Sequence, residues 1–133
     1  MIDRFEHQGI LYAIVMRAGF RPESTTFITD DTASMQVGVL KWPESHVVKP
    51  HVHAAATRTI HDTTEILVVR AGTIEVQFYQ DDGTPVASTC IYPHDTLVLC
   101  TGGHSFRASS AAEIVIVKQG PYMGLRDKEF LNK

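Results

Sequence analysis

The sequence has few of the features that mark disulfide-stabilised or nucleic-acid-binding proteins. It contains only two cysteines, Cys90 and Cys100, and they are not spaced as a Cys-x-x-Cys pair. We therefore expect reduced, packed thiols and no disulfide framework. Lys and Arg form no run, and the formal net charge is -3. This charge balance predicts no nucleic-acid partner, because phosphate backbones are bound by basic surfaces.

Long apolar runs are missing as well. The most apolar N-terminal stretch, Gly9 to Met16, is too short to cross a bilayer, and Asp3 and Glu6 stand where a signal peptide carries basic residues. These features predict a cytoplasmic protein without a membrane partner. The 133 residues are 44% hydrophobic and 20% charged, a composition that can bury a core. We predict one domain over residues 1–133, with a C-terminal tail over residues 119–133.

The spacing of the apolar residues is typical of β-strands. Apolar positions recur at every second residue or in short runs bounded by Gly, Pro, Asp and Thr. The predicted strands are Ile10–Arg17, Thr25–Thr29, Met35–Lys41, His46–Val48, Ile66–Ala71, Thr73–Tyr79, Ala87–Tyr92, Thr96–Leu99 and Glu113–Lys118. Turns are indicated at Ala71-Gly72 and at Asp81-Asp82-Gly83, so the run from Ile66 to Tyr92 is predicted to be a hairpin. Many short strands indicate an all-β sandwich, barrel or jelly roll, and only the tail from Met123 has helical composition.

Histidine is the residue type that points to chemistry. The chain has seven, and four of them (His46, His51, His53 and His61) lie within sixteen positions. In His51-Val52-His53 an extended backbone would project both imidazoles to the same face. Imidazole binds Zn, Fe, Ni and Cu well, and a carboxylate often completes such a site. An isolated His-x-His pair is more often a feature of a polar surface, so further ligands are needed for the interpretation.

Two segments of the chain carry those further ligands. The first segment reads His51-Val52-His53, then Glu65, six residues and Gly72; the second reads Pro93-His94-Asp95 and ends at Gly102-Gly103-His104. These segments resemble the two motifs of the cupin superfamily. This resemblance implies a cupin-type antiparallel β-barrel, also called a double-stranded β-helix or jelly roll. It further implies that one divalent transition metal ion per chain (Zn, Fe, Mn or Ni) is held by four ligands, namely His51, His53, Glu65 and His104.

The chain departs from the cupin pattern at two places. Eleven residues separate His53 from Glu65, where the family has a much shorter spacer, and His94 stands where Gly is common. A long turn is tolerable because the entropy of loop closure grows slowly with loop length. It leaves His61 as a rival for the fourth ligand. Glu65 is preferred because it begins a predicted strand, which holds a side chain more rigidly than a loop does.

Five segments resemble one particular group of cupins: Arg58-Thr59-Ile60, Thr64-Glu65, Gly102-Gly103-His104, Lys118 to Tyr122 and Asp127-Lys128. These segments are similar to small cupins that accompany surface-polysaccharide and nucleotide-sugar biosynthesis. This implies a metal-dependent enzyme acting on a small polar substrate such as a sugar derivative, by isomerisation or epimerisation. Because cupins host many functions, a metal-dependent dioxygenase and a non-catalytic metal-binding, sugar-binding or sensor domain stay open as alternatives.

Residues outside the motifs could contribute to substrate binding. Arg58 and Arg70 flank the predicted site in sequence, and a guanidinium can bind a carboxylate, a phosphate or a sugar hydroxyl. A solvated surface charge is an equally good interpretation of each. Tyr79, Tyr92 and Tyr122 could each supply a proton, and the sequence does not choose between them.

The N-terminal strand predicts a homodimer. Ile10 to Met16 is apolar at both odd and even positions, so both faces of that strand should be hidden from water. A two-fold partner would cover the second face, and closed two-fold dimers are the commonest soluble assembly. The alternative is that the tail from Met123 to Lys133 folds back over the strand.

Overall fold

The computed structural model describes residues 1–131, so Asn132 and Lys133 of the predicted tail lie outside the described residues. The chain is all-β with antiparallel sheets. The strands are β1 (Ile2–His7), β2 (Ile10–Met16), β3 (Thr26–Phe27), β4 (Gly38–Val39), β5 (Glu65–Ala71), β6 (Ile74–Tyr79), β7 (Pro85–Ile91), β8 (Thr96–Leu99), β9 (Gly103–Ala108) and β10 (Glu113–Lys118). A 3₁₀ helix spans Gly124–Asp127. No helix within residues 1–131 has the length and apolar character needed to cross a membrane.

The chain divides into two compact units. The first comprises Met1–Phe20 and the chain from Asp62 onward, and the second comprises Arg21–His61. The first unit contains a five-stranded sheet in the order β1-β2-β8-β5-β10 and a three-stranded sheet in the order β7-β6-β9. All of these strand pairs are antiparallel.

The path of the chain between the two sheets corrects one prediction. The run from Ile66 to Tyr92 is not one hairpin, because β5 pairs with β8 and β10 whereas β6 pairs with β7 and β9. The Ala71-Gly72 turn takes the chain from one sheet to the other, and Gly72 adopts the predicted positive φ, +83°. The second predicted turn does close a hairpin, since β6 and β7 pair around Gly83 at φ +90°.

The core of the first unit lies between its two sheets. In β6, Ile74, Val76 and Phe78 are each 1% exposed, and the residues between them are more accessible, as a strand with one buried face requires. Burying each such side chain stabilises the fold by about 1.5–3 kcal/mol. The buried cluster consists of Tyr12, Ala13, Val15, Leu67, Val69, Ile74, Val76, Phe78, Ile91, Leu97 and Leu99. This packed cluster fixes the positions of the strands and therefore of the side chains at the strand ends.

The second unit has little regular structure. Its only sheet within the described residues pairs β3 with β4 through two residues each. The predicted strands Thr25–Thr29 and Met35–Lys41 are therefore reduced to two-residue strands, and His46–Val48 is not a strand. Pro43 and Pro50 flank the predicted strand His46–Val48, and because neither can donate to a ladder they limit any strand there to a few residues. Every residue from Leu40 to His61 is exposed.

Candidate functional site

Glu65 and His104 lie at the start of two strands that belong to different sheets. Glu65 is the first residue of β5, and His104 is the second residue of β9. Nε2 of His104 lies 3.2 Å from Oε2 of Glu65, and the two side chains are 31% and 13% exposed. Two residues predicted as ligands from separate motifs, 39 positions apart in the sequence (104 − 65), are thus in direct contact.

The surroundings of Glu65 favour its ionised form. The hydrogen bond that it accepts from His104 lowers the pKa of the Glu65 carboxyl below its ordinary value. Partial burial opposes this effect, while the charges of His104, Lys118 and Lys128 add to it. The carboxylate is therefore anionic at neutral pH, which is the form that binds a cation.

The spacing of this pair fits two ligands of one metal ion. Donor atoms at about 2.0–2.2 Å from the same tetrahedral or octahedral ion lie roughly 2.8–3.6 Å apart. The observed 3.2 Å lies within this range, and it equally suits the hydrogen bond described above. Among residues 1–131, neither unit by itself gathers three or more His, Cys, Asp or Glu side chains in a position to hold a metal ion. The first unit therefore offers two donors of the predicted four.

A cavity of about 600 Å³ opens beside the pair. Its walls come from the start of β9, the loop before it and the C-terminal segment. The lining residues are Asp62, Thr63, Glu65, Tyr79, Cys100, Thr101, Gly102, Gly103, His104, Ser105, Phe106, Asp127, Lys128, Glu129, Phe130 and Leu131. The cavity thus combines aromatic rings with hydroxyl and carboxylate groups, as sites for small polar molecules do.

Tyr79 is the tyrosine that lines this cavity. Its hydroxyl lies 2.9 Å from the hydroxyl of Ser105, so the two groups share a hydrogen bond. Tyr92 and Tyr122, the other tyrosines considered as proton donors, do not line the cavity and are 51% and 83% exposed. The structure thereby distinguishes three residues that the sequence left equivalent.

Sequence reasoning missed Lys118 as the basic partner of Glu65 and Asp127 as the acidic partner of Lys118. Lys118 lies opposite Glu65 in the pairing of β10 with β5. Its Nζ is 3.9 Å from Oε1 of Glu65 and 2.9 Å from Oδ2 of Asp127. The contact depends on strand register between segments more than fifty residues apart, and no local pattern in the sequence shows it.

His51 and His53 lie in the second unit, in a segment without regular structure. Their ring centroids are 5.3 Å apart with an edge-on arrangement, and both side chains are exposed. Nδ1 of His51 lies 2.7 Å from the carbonyl oxygen of Lys49. An N–H at Nδ1 would donate to that carbonyl and leave Nε2 free to bind a metal, a common arrangement for metal-binding histidines.

The remaining predicted residues lie outside the cavity lining. Arg70 pairs with Glu113 at 3.0 Å, and both side chains are 64% exposed. Arg58 and His61 are exposed residues of the second unit. His94 adopts φ +73°, so it occupies a turn conformation that usually favours Gly.

Comparison with known proteins gives no family assignment. No family model matches the chain, and neither the curated proteins nor the solved structures yield a match. The functional interpretation depends on the motifs and geometry of this chain.

Proposed function

We propose that the chain is a cupin-type metal-dependent enzyme that acts on a small polar substrate, such as a sugar derivative, by isomerisation or epimerisation. The observation that carries the proposal is the Glu65–His104 pair, 3.2 Å apart, beside a cavity of about 600 Å³. The antiparallel sheets are compatible with a jelly-roll barrel. The sequence motif supplies His51 and His53 as the other two ligands of one divalent ion (Zn, Fe, Mn or Ni).

The cavity supports a small ligand with several hydroxyl groups. Small-molecule sites usually enclose about 300–1,000 Å³, and this cavity falls within that range. The Phe106 ring lies on the same wall as His104, with 5.1 Å between ring centroids, and offers an apolar surface to a sugar ring. The carboxylates of Asp62 and Glu129 can accept hydrogen bonds from hydroxyl groups.

Isomerisation and epimerisation require a proton to leave one carbon and return to another position or face. A divalent ion, when bound, polarises a carbonyl or hydroxyl oxygen and so lowers the cost of removing that proton. A carboxylate of the cavity wall, Asp62 or Glu129, would take the proton from the substrate carbon. Tyr79 can return a proton, since its hydroxyl shares a hydrogen bond with Ser105 and lines the same cavity.

Metal analysis of protein prepared without an affinity tag tests the proposal. We expect about one transition metal ion per chain after reconstitution, released as the pH falls because imidazoles must be neutral to bind it. His51→Ala, His53→Ala and His104→Ala should each remove most of the metal, whereas His46→Ala and His94→Ala should not. A chain that takes up no metal under these conditions contradicts the proposal.

Assays on the metal-loaded protein then distinguish the alternatives. Exchange of substrate-carbon hydrogen with deuterated water, for a panel of sugars, supports isomerisation or epimerisation. Oxygen consumption with a redox-active metal would indicate a dioxygenase instead. Sugar-dependent thermal shifts without turnover would indicate a binding or sensor domain.

A further inference from the structure

The C-terminal segment is connected to Glu65 by a chain of charged contacts. Asp127 lies 2.9 Å from Nζ of Lys118, and the same Nζ lies 3.9 Å from Oε1 of Glu65. The side chains of Asp127, Lys118 and Glu65 are 17%, 26% and 13% exposed. Because these groups are partly shielded from water, their attraction is weakened less by solvent than that of a fully exposed pair.

Few apolar contacts hold the segment that carries Asp127. The 3₁₀ helix Gly124–Asp127 has no buried residue, and Leu125 and Phe130 are 94% and 85% exposed. Leu131 does reach the first unit's β9, where its Cδ1 lies 2.8 Å from the position that a Cβ on Gly103 would occupy. A segment with so little burial opens at low free-energy cost, so the Lys118–Asp127 contact is a main restraint on it.

The two oxygens of Glu65 have different partners. Oε2 faces His104 at 3.2 Å, whereas Oε1 faces Lys118 at 3.9 Å. Rotation of a carboxylate about its last side-chain bond is only weakly restricted, so outer partners are needed to fix its orientation. Lys118 restrains one oxygen and thereby keeps the other directed at His104.

We propose that Asp127 and Lys118 are positioning residues that couple the C-terminal wall of the cavity to the Glu65 carboxylate. When residues 124–131 are docked, Asp127 holds Lys118 and Lys118 holds Glu65 toward His104. When the segment opens to admit or release a ligand, Lys118 loses its contact with Asp127. The Glu65 carboxylate is then no longer held in one orientation toward His104. The effect of this coupling on a bound metal ion rests on the function proposed above. The coupling of the side chains to one another does not depend on that function.

The metal-free test uses NMR of the His104 imidazole together with amide hydrogen exchange of residues 119–131. Asp127→Asn and Lys118→Met should speed exchange in the segment by at least about tenfold, since they remove its main polar restraint. Both should also shift and broaden the imidazole signals of His104. Lys118→Arg keeps the charge and should retain most of the wild-type spectrum. Glu113→Gln, which removes an equal charge from the exposed first residue of β10, should change neither readout.

A charge-swapped double variant distinguishes positioning of Glu65 by Lys118 from a contact that only holds the C-terminal segment in place. Lys118→Asp with Asp127→Lys restores an ion pair and should return hydrogen exchange of the segment toward the wild-type rate. It also places a carboxylate beside Glu65, so the His104 signals should stay perturbed. If the swap restores both readouts, or if Asp127→Asn loosens the segment and leaves His104 unchanged, the coupling is overturned.

A cobalt titration links the coupling to the metal site. We expect Asp127→Asn to weaken Co²⁺ binding by about tenfold to a hundredfold and to change the visible absorption of the bound ion, as loss of an outer-shell partner does. Equal affinity and equal spectra in the two proteins would overturn the link. A wild-type chain that binds no Co²⁺ would contradict the proposed function. The imidazole and exchange measurements would still show whether the C-terminal segment is coupled to the Glu65–His104 pair.

Discussion

Nη1 of Arg17 lies 2.9 Å from the carboxylate of Asp95, although 78 positions separate the two residues in the chain. Asp95 is only 3% exposed, and it also accepts hydrogen bonds from the backbone N–H groups of Ala18 and Tyr92 at 2.9 Å each. Arg17 further binds the carboxylate of Asp3 at 2.8 Å. The pair therefore ties the end of β2 to the turn that leads into β8.

Arg17→Met should destabilise the fold by about 3–5 kcal/mol, because it leaves the buried carboxylate of Asp95 without its cation. Urea unfolding measures the loss. The matched control is Arg107→Met, since Arg107 pairs with Glu75 at 2.6 Å while the two side chains are 76% and 45% exposed. Exposed pairs contribute at most about 1 kcal/mol, so similar losses in the two variants would contradict the importance of burial.

Gly72→Ala should cost about 1–3 kcal/mol or more. Gly72 adopts φ +83°, and a Cβ there would collide with the carbonyl oxygen of Ala111. Gly19→Ala is the control, because a Cβ at Gly19 meets nothing within 4 Å and its φ is not positive. Thermal unfolding of both variants should show a large drop for the first and little change for the second.

The strands with a clear alternation of apolar residues could be predicted from the sequence, and those without it could not. In β6 every second residue is buried, and the prediction over Thr73–Tyr79 is confirmed within one residue. β9 was missed because five of its six residues are exposed and Gly103, His104, Ser105 and Arg107 give it no apolar alternation. Its backbone pairing with β6 defines it, and such pairing is a long-range property.

The site shows the same division between local and long-range information. The sequence placed Glu65 and His104 in one site through their motif positions, and the two side chains are in contact. Their role as metal ligands stays a prediction. Tyr79, Lys118 and Asp127 come to the same place only through strand register and the path of the C-terminal segment. Residue type and spacing do not encode those contacts. The sequence therefore named Tyr79 only as one of three possible proton donors, and it gave no reason to pair Lys118 with Asp127 or Glu65.

Glu65→Gln should weaken metal binding by at least about tenfold, since it keeps the size of the side chain and removes its anionic donor. His61→Ala should leave affinity nearly intact, because His61 is an exposed residue of an irregular segment. Competition with a chromogenic chelator measures both affinities. The opposite order of effects would transfer the role of fourth ligand to His61.

Acid should remove a stabilising contribution of Glu65. The hydrogen bond from His104 sets the pKa of Glu65 below its ordinary value of 4.5, with partial burial acting against it and Lys118 acting with it. Because the folded-state pKa is the lower one, the contribution is present above the ordinary pKa and is lost as the pH falls from there through the lowered value.

Urea unfolding from about pH 6 to about pH 3, with a chelator present, tests this dependence. Glu65→Gln should show a flatter decline of unfolding free energy across the acid range than the wild type does. Parallel declines in the two proteins would mean that other carboxyl groups account for the acid sensitivity.

The predicted homodimer needs a different interface from the one that the sequence indicated. β2 is an inner strand, since β1 and β8 pair with its two edges. Of the described tail residues, Leu125 and Phe130 do not supply the alternative cover, because they are 94% and 85% exposed. Ile14 is 1% exposed, so Ile14→Lys would disrupt the folded chain itself and could not report on dimerisation alone.

The apolar residues of β10 offer a cleaner test. Among residues 1–131, β10 pairs only with β5, and Val115, Ile116 and Val117 are 42%, 55% and 45% exposed. An apolar strand at a sheet edge invites pairing, and a second copy of the chain would cover it.

Light scattering should give twice the monomer mass of 14.8 kDa. Val117→Lys should shift the mass toward the monomer without lowering the unfolding temperature much. Leu125→Lys, an equal change on the exposed tail, should leave the dimer intact. A wild-type monomer would reject the dimer, and a dimer that persists in Val117→Lys would move the interface away from β10.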